Sequence, residues 1–188
     1  LNIIHLVRLF FAKPFPHVRV RLNWQQHQLW STADKNGFFQ FEWQSQHEME
    51  KGWHSFTVDC VDEKGVVSGS GTGELYVPYS TQYVLVSDID DTVMISYSAT
   101  KFRRLRELLI KNPRTRHQFA KVAEWYQQLT IAHANATTPN PFFYVSSSEW
   151  NLYDYILEFT RVNEIPKGVF LLNQLKSFRQ LLNTGQSN

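Results

Sequence analysis

An α/β architecture is predicted, with a parallel-sheet domain over residues 80–188 and a small β-sandwich-like domain over residues 1–79. Three observations predict it. Short stretches before Pro78 alternate apolar and polar residues, the two-residue period of half-buried strands. After Tyr79, the apolar runs Tyr83–Val86, Phe142–Val145 and Val169–Leu172 lose that alternation, as strands of a parallel sheet do when both faces are covered. Between those runs, apolar residues recur at helical steps, which gives the strand–helix–strand order of a parallel sheet.

The first strand is expected over Val18–Trp24, where Val18, Val20, Leu22 and Trp24 alternate with Arg19, Arg21 and Asn23. A second is expected over Phe39–Trp43 and a third over Phe56–Cys60. Asp34-Lys35-Asn36-Gly37 and Glu63-Lys64-Gly65 supply the turns around them. Gly69-Ser70-Gly71-Thr72-Gly73 is not a phosphate loop, because no Lys-Ser/Thr follows and Glu74–Val77 reads as strand.

In the second domain the run ending at Val86 leads into Asp88-Ile89-Asp90-Asp91-Thr92. Phe102, Leu105, Leu108 and Leu109 predict one helix, and Phe119, Val122, Trp125, Tyr126 and Leu129 a second after Pro113. Thr137–Pro141 is a loop before the Phe142–Val145 strand, which ends in Ser146-Ser147-Ser148. Leu152, Tyr155, Ile156 and Phe159 form a further helix, and Pro166 and Gly168 precede the last strand.

The 188 residues are 43% hydrophobic and 15% aromatic, enough for one sizeable core or two small ones. Charged residues are 19% with a net charge of +2, which excludes a disordered chain and a basic nucleic-acid-binding surface. A single cysteine, Cys60, excludes an internal disulfide and points to a reducing, cytoplasmic compartment. Leu1–Phe11 is interrupted by His5 and Arg8 and lacks the features of a signal peptide, so it reads as a packed element. The start at Leu and the polar end at Asn188 are expected of a fragment. The seven histidines show no metal-ligand spacing.

Chemistry is expected at the carboxyl ends of the parallel strands, where open α/β sheets bind ligands. The bland alternative for the Asp88–Thr92 cluster is a turn that caps the next helix. Two neighbouring carboxylates repel and stay ionised only beside a cation, or else share a proton. Phosphoryl transfer uses both conditions. Asp88 attacks phosphorus and becomes an aspartyl phosphate, while Asp90 protonates the leaving alkoxide and then activates water. Mg2+, held by Asp88 and Asp90, offsets the charge between nucleophile and phosphate. Ser146 sits at the adjacent strand tip, where a hydroxyl can donate to a phosphoryl oxygen, and Thr92 and Ser147 complete the substrate-binding set. The simpler reading of the serines is a helix cap, with Ser148 capping a helix that starts near Trp150.

The strings Val86-Ser87-Asp88-Ile89-Asp90-Asp91-Thr92-Val93, Phe143-Tyr144-Val145-Ser146-Ser147-Ser148-Glu149-Trp150-Asn151-Leu152-Tyr153 and Pro166–Leu172 resemble the actin-patch-associated phosphatidate phosphatase family of the haloacid dehalogenase superfamily. The resemblance covers residues 83–182, and Asp34–Phe39 with Gly52-Trp53-His54 looks like the β-rich segment that precedes the catalytic domain there. It implies a haloacid-dehalogenase-like Rossmann-type domain and a Mg-dependent phosphatase that converts phosphatidate to diacylglycerol. The nucleophile falls at Asp88, the acid/base at Asp90 and the second-motif hydroxyl at Ser146. The superfamily's lysine and its later G-D-S/D-type acidic motif are not evident, and Lys176 reads as belonging to the segment before the lysine position. The domain is therefore expected to be incomplete at its C-terminus, and these 188 residues are expected not to turn over alone.

Residues 101–121 hold eight Lys or Arg and one acid, Glu107, a local charge of +7 that leaves −5 for the remainder. Such a stretch suits peripheral contact with an anionic membrane or a substrate phosphate, and equally a solvated helix face. The expected partner is a phosphate-bearing substrate, a phospholipid by resemblance, with no nucleic acid. Two rivals stand beside this reading: a phosphatase for another phosphomonoester, and a non-catalytic lipid- or protein-binding remnant that keeps the strand tips.

Overall fold

The alternation at Val18–Trp24 becomes strand β1 (Arg19–Trp24), which sends Val20, Leu22 and Trp24 inward. The computed structural model describes residues 14–25, 27–44, 48–81, 83–90, 93 and 121–173. They fall into two compact units that divide between Tyr79 and Ser80.

The first unit is a four-stranded antiparallel sheet of order β2-β1-β3-β4, with β2 at His27–Thr32, β3 at Gly52–Val61 and β4 at Val67–Val77. Among the described residues this is one sheet rather than the two facing sheets of a sandwich. Phe39–Trp43 is not a strand. Its alternation reflects packing of an irregular segment, in which Trp43 sets its ring edge-on to Trp24 at 5.0 Å and Phe39 meets Phe41 at 5.5 Å. The glycine-rich run Gly69–Gly73 lies inside β4, opposite Phe56–Cys60.

Two turns in this unit have the same construction. Asp34 Oδ1 accepts the backbone N–H groups of Asn36 and Phe38 at 2.8 and 2.9 Å, and Asp62 Oδ1 accepts those of Lys64 and Val66 at 2.9 and 2.8 Å. Each closes on a glycine with positive φ, Gly37 at 82° and Gly65 at 81°, a conformation that costs a glycine nothing sterically.

The second unit carries a parallel sheet of order β5-β6-β7, with β5 at Leu85–Asp88, β6 at Phe142–Glu149 and β7 at Val169–Asn173. Helix α1 (Val122–Ile131) precedes β6, and a short 3₁₀ turn (Trp150–Leu152) leads into helix α2 (Tyr153–Val162) before β7. Successive right-handed crossovers that advance in one direction place their helices on one face. Accordingly Tyr126 of α1 and Tyr155, Ile156 and Phe159 of α2 share a single core with Phe142, Tyr144 and Phe170. Tyr126, Phe142, Tyr144 and Phe170 stack in a row with centroids 5.1, 5.5 and 5.2 Å apart. Trp125, expected on the inner face of its helix, points outward, and Tyr126 takes the buried position.

Coverage of both faces of the parallel strands, expected from their unbroken apolar runs, is not what the described residues show. On the face opposite α1 and α2, Val84, Val86, Val145 and Leu171 are exposed, Val86 to 69%. The predicted helix at Phe102–Leu109, the basic stretch up to residue 120, Leu1–Phe11 and Lys176 lie outside the described residues.

Candidate active site

Parallel pairing sets Asp88 beside Val145, so the carboxyl end of β5 meets β6 where the serine run begins. Asp88 is the last residue of β5 and is exposed. Ile89 follows, fully buried, and its N–H donates to the Val145 carbonyl at 3.2 Å, which ties the strand end to β6. This anchor carries Asp90 to a buried position against the serines.

All three serines reach Asp90. Ser146 Oγ donates to Asp90 Oδ2 at 2.7 Å, Ser147 Oγ lies 3.3 Å from the same oxygen, and Ser148 Oγ lies 3.3 Å from Oδ2 and 3.4 Å from Oδ1. A regular strand points alternate side chains to opposite faces, so three consecutive hydroxyls cannot converge from one. The backbone accommodates them because the β6–β7 register shifts between Val145 and Glu149. Inside that irregular stretch the Ser148 N–H donates to Ser146 Oγ at 2.9 Å. Ser148 does not cap α2, which begins after Leu152 without a side-chain cap, and the Ser148 hydroxyl lies against the carboxylate.

Behind Asp88, Ser87 is buried and its hydroxyl lies 2.8 Å from the Asp88 carbonyl and 2.6 Å from the Tyr126 hydroxyl. Neither Ser87 nor Tyr126 was legible as part of the site. Tyr126 shows only a helical apolar spacing, and a serine inside a strand carries no signal of its own. Next along the sheet, Tyr144 donates to the Pro166 carbonyl at 2.8 Å. Burial above all, and Tyr126 after it, push the Tyr144 phenol far above the usual tyrosine range.

Of the residues singled out from sequence, Asp90, Ser146 and Ser147 come together, and Asp88 stands exposed on the same strand connection. Asp91 and Thr92 lie outside the described residues. Among the described residues, no group of three or more His, Cys, Asp or Glu side chains gathers as a metal site would.

A parallel α/β sheet that brings an exposed aspartate, a buried aspartate and a cluster of hydroxyls to adjacent strand ends defines an α/β protein with a polar strand-tip site. The family described as phosphatidate phosphatase APP1, catalytic domain, matches residues 83–188, and the chain belongs to that family. The match begins just before β5 and takes in every residue of the site. No curated protein matches the chain.

Proposed function

We propose that this chain is a Mg-dependent phosphatase that hydrolyses phosphatidate to diacylglycerol through an aspartyl phosphate on Asp88. The observation that carries the reading is the contrast between two aspartates two residues apart within the family match. Asp88 is exposed at the strand tip, as a nucleophile must be, and Asp90 is buried and held by hydroxyls, as a positioned proton carrier must be. The parallel order β5-β6-β7 is compatible with a haloacid-dehalogenase-like sheet.

In the proposed sequence an Asp88 carboxylate oxygen bonds to phosphorus while the bond from phosphorus to the glycerol oxygen breaks. The departing alkoxide takes a proton from Asp90. Water then attacks phosphorus, Asp90 takes one of its protons, and the bond to Asp88 breaks to release phosphate and restore the carboxylate. Each step needs the Asp90 carboxyl held in one orientation, and the hydroxyls of the serine cluster would supply that hold.

The donors available for Mg2+ are all oxygens, the ligand type the ion prefers. The Asp88 carboxylate and the Asp90 backbone carbonyl would hold it, because the Asp90 carboxylate is already engaged by hydroxyls. When bound, the ion supplies positive charge against the phosphoryl group. In this reading the protein acts in the cytoplasm at the surface of an anionic membrane, with residues 101–121 supplying the attraction.

The test is acid-quenched mass spectrometry of the natural chain after exposure to phosphatidate in mixed micelles with Mg2+. A phosphate adduct on the Asp88 peptide is expected, accumulating in Asp90→Asn and absent in Asp88→Asn. Phosphate release by a folded Asp88→Asn variant at the wild-type rate overturns the reading. Faster turnover of soluble sugar or nucleotide phosphates favours the rival phosphomonoester, and no turnover with phosphatidate still bound favours the non-catalytic module.

A further inference from the structure

We propose that Ser87 and Tyr126 are positioning residues for Asp88: together they clamp the peptide unit that follows the aspartate, and so fix the direction from which its carboxylate meets phosphorus. The inference rests on the phosphatase reading above and adds the means by which the nucleophile of that reading is aimed.

Both residues are polar where packing asks for nothing polar. Ser87 stands between Leu85 and Ile89 on the side of β5 that faces the shared core, and it is buried there. Tyr126 is buried in the same core, where its ring already stacks on Phe142. A buried hydroxyl is costly unless it is bonded, and an alanine and a phenylalanine would fill these two places without that cost. What the hydroxyls add is the bonds they make.

Those bonds converge on one peptide unit. The Asp88 carbonyl and the Ile89 N–H belong to the same planar trans peptide and point in opposite directions. The N–H donates to the Val145 carbonyl at 3.2 Å, while the carbonyl oxygen lies 2.8 Å from Ser87 Oγ, which in turn lies 2.6 Å from the Tyr126 hydroxyl. Held at both ends, this peptide resists rotation about the bond that joins it to Asp88 Cα. The side chain leaving that carbon is steadied with it.

The clamp sits where the ladder gives out. Pairing of β5 with β6 ends at Asp88 and Val145, and β6 turns irregular beyond Val145. Strand ends fray first, yet attack on phosphorus tolerates little misplacement, about 1 Å costing about a hundredfold in rate. Tyr126 bonds to Ser87 rather than to the Asp88 carbonyl, so its hold on the nucleophile passes through Ser87.

Single-turnover formation of the Asp88 phosphate adduct tests this on the natural chain, with phosphatidate in mixed micelles and Mg2+, at a temperature where every variant is folded. Ser87→Ala is expected to lower the maximal rate about tenfold or more and to change the half-saturating phosphatidate concentration less than about twofold, because a misaimed nucleophile leaves binding alone. Tyr126→Phe is expected to lower the rate about threefold, since Ser87 keeps its bond and loses only its support. In the Ser87→Ala background Tyr126→Phe should cost nothing more, and Ser87→Thr, which keeps the hydroxyl, should recover most of the rate. Amide hydrogen exchange gives a second readout. In Ser87→Ala the Ile89 N–H should exchange about tenfold faster relative to the Phe159 N–H inside α2, whereas a general loss of stability would speed both alike.

A wild-type adduct rate in folded Ser87→Ala, or an effect on half-saturation alone, overturns the clamp and leaves the aspartyl-phosphate reading intact. A further loss from Tyr126→Phe in the Ser87→Ala background overturns the route through Ser87. Should Ser87→Ala not fold, Tyr126→Phe carries the test, and a wild-type adduct rate in it overturns the proposal. A wild-type chain that forms no adduct overturns the phosphatase reading itself; the exchange ratio then decides the clamp, and an unchanged ratio overturns it.

Discussion

The Tyr126 hydroxyl donates to Ser87 Oγ across 2.6 Å, and the direction of that bond is set by what lies beyond it. Ser87 has one proton, and the Asp88 carbonyl at 2.8 Å can only accept it. Tyr126 is therefore the donor, and a helix residue holds the side chain of Ser87, which in turn holds the backbone carbonyl of the exposed aspartate. Tyr126→Phe is expected to destabilise the protein by about 1 kcal/mol, since one buried partner loses its bond. Ser87→Ala in the same background should add less than it does alone. Thermal unfolding of the two single variants and the double variant measures the coupling, and strict additivity would deny the chain of bonds.

Gly168→Ala is expected to be among the costlier single-methyl changes. A Cβ at Gly168 would stand 2.6 Å from the Phe142 carbonyl oxygen and 2.6 Å from the Tyr144 ring. Backbone cannot swing aside as a flexible side chain can, so β7 must move away from β6. Overpacking of this kind costs about 1–3 kcal/mol. Chemical denaturation should show a lower midpoint, and an unchanged midpoint would mean that the strands separate freely here.

Asn140 closes the C-terminal end of α1. Its Nδ2 donates to the carbonyls of Leu129 and Ala132 at 3.1 and 2.8 Å, and its own N–H donates to the Thr130 carbonyl at 2.7 Å. The residue is buried, so water does not replace these bonds. Asn140→Leu is expected to cost about 1–3 kcal/mol for the orphaned carbonyls. Asn140→Asp should cost more above neutral pH, because a carboxylate would face carbonyl oxygens. Equal stabilities of the two variants at high pH would remove the capping role.

Asp59 is expected to make the β-rich unit acid-sensitive. The Arg21 side chain first, then Ser70 and Asn23, donate to its carboxylate at 2.7–2.8 Å and hold it below its ordinary pKa of 3.8. A carboxyl group depressed in the folded state contributes stability above its unfolded pKa and loses it as pH falls through the folded value. Unfolding temperatures should therefore drop on acidification from about pH 5 to about pH 2, and Asp59→Asn should flatten that part of the drop. An identical acid profile in the variant would assign the sensitivity to other carboxylates.

Strands were legible wherever a buried face demanded it, by alternation in β1 and β3 and as unbroken apolar runs in β6 and β7. This failed at β2, an edge strand whose residues are mostly exposed and whose entry through Gln25, with φ of 52°, shows none of the usual turn residues. At Phe39–Trp43 the same alternation misled, because aromatic packing on Trp24 produces it without a hydrogen-bonded ladder. The serine run was legible as polar residues at a strand end. Its convergence on Asp90 was not, because it depends on a register shift that no local spacing records. The bare face of the parallel sheet escaped for a related reason: an apolar run shows that a strand avoids water on average, and does not say which side is covered among the described residues.

The bond between Ser146 and Asp90 spans 56 residues of chain. The hairpin turns of the first unit join strands that are neighbours in sequence, so those strands can pair as soon as they leave the ribosome, whereas the parallel sheet must wait for β6 to be made and then close a long loop. The site is thus expected to form late in folding. A nascent chain would then carry paired hairpins and a loose acidic strand end at the same time, and any slowing of loop closure would lengthen the interval in which the Leu85–Asp88 strand lies open to other chains.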